Sequence, residues 1–323
     1  MKDNLPRLSA SPEPWTRYRT LIDLCGRSEK DPDVVSARIA MLADPLVHSL
    51  MADLRGWPGK ALSSHKSSSQ VYHKLAFLSD IGIHSDDPGM PEILAAILAL
   101  RDDDGVLCIG QRQVETAGNT VASKNIWALC DAPITMAAVA KMGLSEQPDF
   151  VRAATFLVNL GRDNGWPCRL SADAAPWRGP GRKQDPCPFA TLAMLKLCAA
   201  VPALSQSVEA DAGAHALLDL WQNSRELHPY MFYMGTDFRK LKVPFVWYDI
   251  LNVTDTLSRD PSVRKDPRLQ GMMDVIRAKA LPDGTYAPES DWKPWADAGF
   301  AHKGDSSDWL TFLILRIEAR LRA

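Results

Sequence analysis

Two kinds of apolar run alternate along the chain. Residues 72–78, 133–139, 188–194, 248–254 and 309–315 are apolar on nearly every side when drawn as helices, the mark of an element shielded all round by others. Residues 148–158 and 267–276 instead set charges opposite an apolar stripe at helical spacing, which predicts helices with one wet face. Pro133 and Pro188 stand where a helix tolerates proline best, in the first turn. The pattern predicts inner helices beginning near residues 71, 131, 187, 246 and 308, each partnered by an outer helix. Residues 14–25 and 31–54 add two further helical stretches, a first hairpin or a cap. No strand is predicted.

The inner runs recur about every 60 residues, the period of a helical-hairpin repeat. Acidic-or-Asn residues followed by glycine mark the turns after the outer helices, at Asp104-Gly105, Asn164-Gly165 and Asp283-Gly284. A fourth turn, without its glycine, is expected near 225–230. The expected architecture is all-α, with residues 1–60 as N-terminal helices and 61–323 as repeats, the two forming one continuous domain. With the aromatic residues that follow, as in Asn164-Gly165-Trp166 and Asp283-Gly284-Thr285-Tyr286, the repeat resembles that of squalene cyclases and protein prenyltransferase β subunits over roughly residues 60 to 323. The resemblance implies an α/α toroid of about six hairpins whose central cavity holds an isoprenoid-like chain.

Composition narrows the partners. Thirty-seven basic against thirty-nine acidic residues, interspersed, leave no basic stripe for nucleic acid. No apolar stretch approaches the roughly 20 residues of a membrane span. The start, Met1-Lys2-Asp3-Asn4-Leu5-Pro6, has no apolar signal core, and six cysteines in 323 residues make no disulfide framework. Free thiols in the cytoplasm are the expectation. Association of identical copies is left open.

Chemistry is expected where the inner helices begin, because unsatisfied amides and helix dipoles gather there. His73, Asp131, Cys168, Cys187, Tyr248 and Asp249 are the candidate catalytic residues. His65, Trp127, Trp166, Trp177, Asp237, Arg239, Lys240, Trp247 and Trp309 are the candidate substrate-binding set, with Cys130 in the same polar neighbourhood. Asp131 and Asp308 have a simpler reading as helix caps. The segment Gly179-Pro180-Gly181-Arg182-Lys183-Gln184-Asp185-Pro186-Cys187 resembles the zinc loop of prenyltransferase β subunits. That likeness implies a metal set of Asp185, Cys187 and, where the family has histidine, Asp249.

The family's other signatures are missing. No Asp-x-Asp-Asp protonating run sits at an inner helix, since 101–104 falls at an outer turn, and there is no Asp-Asp-x-x-Asp diphosphate motif. The first expectation is therefore an enzyme that dehydrates, isomerises or cyclises an apolar substrate by acid–base chemistry, without a cofactor. A zinc-dependent transferase or hydrolase and a non-catalytic lipid-binding toroid are the alternatives.

Overall fold

A computed structural model describes residues 4–59, 64–116, 120–174, 182–229 and 232–323. Helices dominate: α1 (Leu5–Ser9), α2 (Pro14–Arg19, continued by a π turn over Thr20–Leu24), α3 (Pro32–Leu42), α4 (Pro45–Leu54), α5 (Val71–Ile81), α6 (Met90–Ala99), α7 (Ala132–Val139), α8 (Pro148–Val158), α9 (Pro188–Ala200), α10 (Val208–Gln222), α11 (Ile250–Leu257), α12 (Pro267–Arg277) and α13 (Asp308–Arg322). Four inner helices start within a residue of expectation. The fifth, α11, starts four residues late because Asp249 is extended and caps it. No single described helix is long and apolar enough to cross a membrane.

One expectation is overturned. Strands β1 (Gly110–Thr116) and β2 (Thr120–Ile126) form an antiparallel hairpin with Gly110 opposite Ile126. The sequence hid it because Gln-Arg-Gln-Val-Glu-Thr is polar at both alternate sets of positions, so no period-two apolar signal exists.

The chain forms two compact units, one of Met1–Leu50 with Met234–Ala323 and one of Met51–Tyr233. The opening residues belong to the same unit as residues 234–323. Asn4 Nδ2 donates to the Gly284 carbonyl at 2.8 Å, and Arg7 bridges Asp283 and Asp308 at 3.2 and 2.8 Å. Trp15 meets the Phe300 ring edge-on at 6.1 Å. In this unit α11 is buried along its whole length, whereas α12 buries only Leu269, Met272, Met273 and Ile276. Asp255, deep in α11, accepts from Arg316 and Arg320 of α13 at 2.9 Å each.

In the unit of residues 51–233, α5 packs on α7 and α7 on α9, while α8 and α10 lie against α9. Every residue of α7 is buried, and α9 is buried from Pro188 to Leu195. In α8 only Phe150, Ala153, Ala154, Leu157 and Val158 are buried, the single stripe that its sequence spacing requires. The inner and outer roles read from the hydrophobic pattern are those observed.

A clip joins two of the three Asp/Asn-Gly turns to the next inner helix. The amide of Trp166, just after Gly165, donates to Thr191 Oγ1 at 3.0 Å, and the Cys187 amide donates to the Trp166 carbonyl at 2.7 Å. In the other unit the Tyr286 amide donates to Thr311 Oγ1 at 3.1 Å and the Ser307 amide to the Tyr286 carbonyl at 2.9 Å. Donor and threonine are 25 residues apart in both clips, so one local device recurs in the two units.

Gly165 makes the clip fit. Its φ is +97°, and a Cβ there would lie 2.7 Å from Thr191 Oγ1. Gly165→Ala therefore combines left-handed strain with a collision and is expected to cost about 2–3 kcal/mol. Gly105→Ala, at φ +82° but with its nearest neighbour, Ala153 Cβ, at 3.5 Å, pays the dihedral term alone, about 1 kcal/mol. Urea unfolding of the two variants checks the order, and equal losses would contradict it.

Candidate metal centre

The antiparallel bridge between Ala128 and Leu170 organises the site. The Ser171 amide donates to the Trp127 carbonyl at 2.9 Å and the Leu129 amide to the Arg169 carbonyl at 3.0 Å. This pairing brings the segments that carry Cys130 and Cys168 side by side. The clip from the Cys187 amide to Trp166 brings the third thiol to the same loop. Two tryptophans fix that loop from below: Trp166 is fully buried with Nε1 on the Leu157 carbonyl at 3.2 Å, and buried Trp127 donates Nε1 to the Asp102 carboxylate.

The sulfurs of Cys130, Cys168 and Cys187 consequently lie within 4.8 Å of one another, close enough to hold a metal ion. They are the one such group of histidine, cysteine or acid side chains among the described residues. Cys130 and Cys187 are buried and Cys168 is half-buried. Sulfurs bound tetrahedrally to zinc at about 2.3 Å sit roughly 3.8 Å apart, so an ion would draw the trio inward by no more than a side-chain adjustment.

The trio shares its protons unevenly. Hydrogen bonds from Cys130 and Cys168 push Cys187 well down toward thiolate against the effect of burial. Cys187 is also the N-cap residue of α9, where the amides of Ala190 and Phe189 favour negative charge. Hydrogen bonds to Cys168 and to Cys187, with burial, push Cys130 up. Cys168, drawn down by Cys130 but raised by Cys187 and by burial, stands at about 12. Negative charge in the trio is thus favoured on Cys187.

Beside Cys130 lies a second polar group. Asp131 is 2% exposed; Oδ1 accepts from the Ala128 amide at 3.1 Å and Oδ2 faces His65 Nε2 at 3.1 Å. The side chain does not cap α7, and Ser307 rather than Asp308 caps α13. Tyr72 is pushed up by burial and by the neighbouring Asp131 and Cys130. Its ring lies 4.2 Å from that of His73, which is buried with neither ring nitrogen in a hydrogen bond of good geometry. Burial takes His73 down to about 3, so it is a neutral imidazole.

The structure therefore gathers His65, His73, Asp131, Cys168 and Cys187 of the predicted set into the unit of residues 51–233, and adds Cys130 and Tyr72. It does not assemble the predicted metal set. Asp185 Oδ2 accepts from the Arg182 amide at 2.9 Å, closing a turn, and Asp249 caps α11 by accepting from the Asn252 amide at 3.0 Å in the other unit. A carboxylate at a helix start is already used by the backbone, which is why the spacing misled. Also in that unit, Tyr248 packs on Phe238 at 5.2 Å, the Trp247 carbonyl accepts from Asn252, and Trp309 stacks on Phe312 at 5.1 Å. Asp237 pairs with Lys242 and Lys240 at 2.9 and 3.5 Å, and Arg239 is exposed. Trp127 and Trp166 hold loops in the core. Trp177 and most of the glycine-rich stretch before Arg182 lie outside the described residues. The signal for Cys130 was its position: like Cys187, it enters an inner helix through a proline in the first turn. No protein-family model matches the chain, and no curated protein matches it.

The buried imidazole makes stability depend on pH. Unfolded His73 titrates near 6.5 and folded His73 near 3, so between these values the unfolded chain binds the extra proton. Stability is lost as pH falls through that window, at up to about 1.4 kcal/mol per unit. Glu13, raised by burial from 4.5 to about 7, works in the opposite sense, because its folded form holds the proton and stability falls as pH rises. The His73→Phe variant isolates the first effect. Between pH 7 and pH 5 it is expected to lose about 1–2 kcal/mol less than the parent chain in urea titrations; parallel losses would mean that His73 is not a buried neutral imidazole.

Proposed function

We propose that this chain is a zinc-dependent enzyme acting on a largely apolar substrate, with the metal held by Cys130, Cys168 and Cys187. The observation that carries the reading is the convergence of three thiols from three separate segments. Thiolates select zinc among the common divalent ions, and three protein ligands leave the fourth position that catalytic zinc sites use. Zinc in such a site polarises an oxygen atom of the substrate or of water. The Asp131–His65 pair, at 3.1 Å, takes up or returns the proton that such chemistry moves. Dehydration, isomerisation or cyclisation of an isoprenoid-like alcohol suits this combination. The apolar inner helices supply the matching surface, and their alternation with outer helices at a fixed period supports an α/α toroid. Six free cysteines suit a reducing compartment, the cytoplasm, where the thiols stay ready for metal.

Metal analysis tests the reading directly. Protein purified without chelator is expected to carry one equivalent of zinc, and each of Cys130→Ser, Cys168→Ser and Cys187→Ser to lose it. Asp185→Asn and Asp249→Asn should retain it. Cobalt-loaded protein should show intense near-ultraviolet thiolate-to-metal absorption that the cysteine variants lack. Zinc-free protein that still turned over substrate would leave the Asp131–His65 pair as the whole catalytic apparatus.

A further inference from the structure

We propose that Cys130, Cys168 and Cys187 form a binding site for trivalent arsenic, taken up as arsenous acid and held by one bond to each sulfur. The proposal rests on the arrangement of the sulfurs and stands without the zinc reading. No pair in the trio is singled out: all three sulfurs lie within 4.8 Å of one another, and among the described residues no histidine or carboxylate joins the group. Trivalent arsenic makes the same demand, because it forms three bonds at the base of a pyramid and points a lone pair along the fourth direction. Soft sulfur donors are the ones it prefers. The backbone already holds the three segments together, through the Leu129 amide on the Arg169 carbonyl at 3.0 Å and the Cys187 amide on the Trp166 carbonyl at 2.7 Å. Closing three bonds therefore orders little further chain, and a prearranged set binds more tightly than three independent thiols. All three cysteines are free of disulfides, and half-buried Cys168 leaves the edge of the site open to a molecule as small as arsenous acid.

The exchange is a condensation in which no atom changes oxidation state. Arsenous acid brings three hydroxyls and no charge. Three As–O bonds break, three As–S bonds form, and each hydroxyl leaves as water with the proton of the sulfur that replaces it. A sulfur already deprotonated draws that proton from solvent. The product is an uncharged arsenic trithiolate, so no ion has to be desolvated in a site where Cys130 and Cys187 are buried. With every sulfur used and the lone pair in the remaining direction, bound arsenic leaves no place for zinc.

The test uses the full, unmutated chain, reduced with a phosphine, chelator-treated and mixed with sodium arsenite, so no variant has to fold. After desalting, one arsenic per chain should remain, with the intact mass raised by one arsenic less three hydrogens. X-ray absorption at the arsenic edge should show three sulfur neighbours and no oxygen. Peptic digestion at low pH should then give arsenic-linked peptides that contain Cys130, Cys168 and Cys187. Arsenic that washes away, that keeps an oxygen neighbour, or that is linked through Cys25, Cys108 or Cys198 overturns the proposal. A zinc-loaded sample carried through the same steps separates the two claims and is expected to give up its zinc as arsenic binds. Arsenic held by all three sulfurs in a protein that never takes up zinc upholds the proposal and overturns the zinc reading. Zinc held by the three cysteines in a protein that retains no arsenic does the reverse.

Discussion

The hydrogen bond from the Cys187 amide to the Trp166 carbonyl, 2.7 Å long, is the contact on which the site depends. It joins the start of α9 to the loop that follows α8, and everything around it is arranged so that it can form. Trp166 is immobilised by burial and by its Nε1 contact with Leu157. Gly165 takes a left-handed turn so that the Trp166 amide reaches Thr191, and Gly213 of α10 leaves room for the indole, since a Cβ there would meet it at 2.6 Å. From the same loop, two residues beyond Trp166, Cys168 brings its sulfur within 4.8 Å of those of Cys130 and Cys187. Three thiols distant in sequence meet because backbone pairings fix three loops. The side chains need no attraction for one another.

The same clip without a metal set shows what is scaffold and what is specialisation. At Tyr286, Ser307 and Thr311 the backbone pairings repeat those at Trp166, Cys187 and Thr191. Ser307 Oγ accepts from the Leu310 amide and caps α13, while Cys187 makes no capping bond. A cap of this kind is worth about 1 kcal/mol. Replacing it by cysteine gives up that contribution to stability and leaves the helix-start amides free to favour a negatively charged sulfur. The proposed zinc site uses this position, which in the other unit is a plain helix cap.

Much of the helical scaffold was legible because burial on all sides, or on one, leaves a direct trace in the spacing of apolar residues. The clip glycines were legible as Asn-Gly and Asp-Gly turns. The β-hairpin at 110–126 was not, because neither of its faces carries the alternation that marks a half-buried strand. Individual site residues were legible as types: His65, Asp131, Cys168 and Cys187 were all singled out. Their grouping was not. The metal set read from spacing joined Cys187 to Asp185 and Asp249, whereas the sulfur neighbours of Cys187 are fixed by an isolated bridge and one backbone hydrogen bond, neither of which has a local sequence pattern. Asp249 occupied a register that suits a ligand and equally suits a helix cap, and the Asn252 amide is what it holds.

Charge accounting then bears on which ion such a site accepts. Hydrogen bonds within the trio lower Cys187 and, with burial, raise Cys130 and Cys168, so negative charge is favoured on one sulfur of the three. Asp131 lies next in sequence to Cys130, 2% exposed, with His65 as its charged or polar partner. Uncompensated charge in such surroundings is expensive, so an ion that left the net charge of the buried groups unchanged would need the least rearrangement around it. A divalent cation that displaces the two thiol protons leaves the total unchanged. A monovalent ion displacing the same two protons would add one negative charge beside Asp131, and a trivalent ion would remove one. Exchange of two protons for one divalent ion is thus the substitution that demands least reorganisation of the buried groups, and it makes occupancy depend on pH, since each ion bound releases two protons. In the proposed zinc reading, the sulfur donors favour a thiophilic metal and the unchanged charge favours a divalent one.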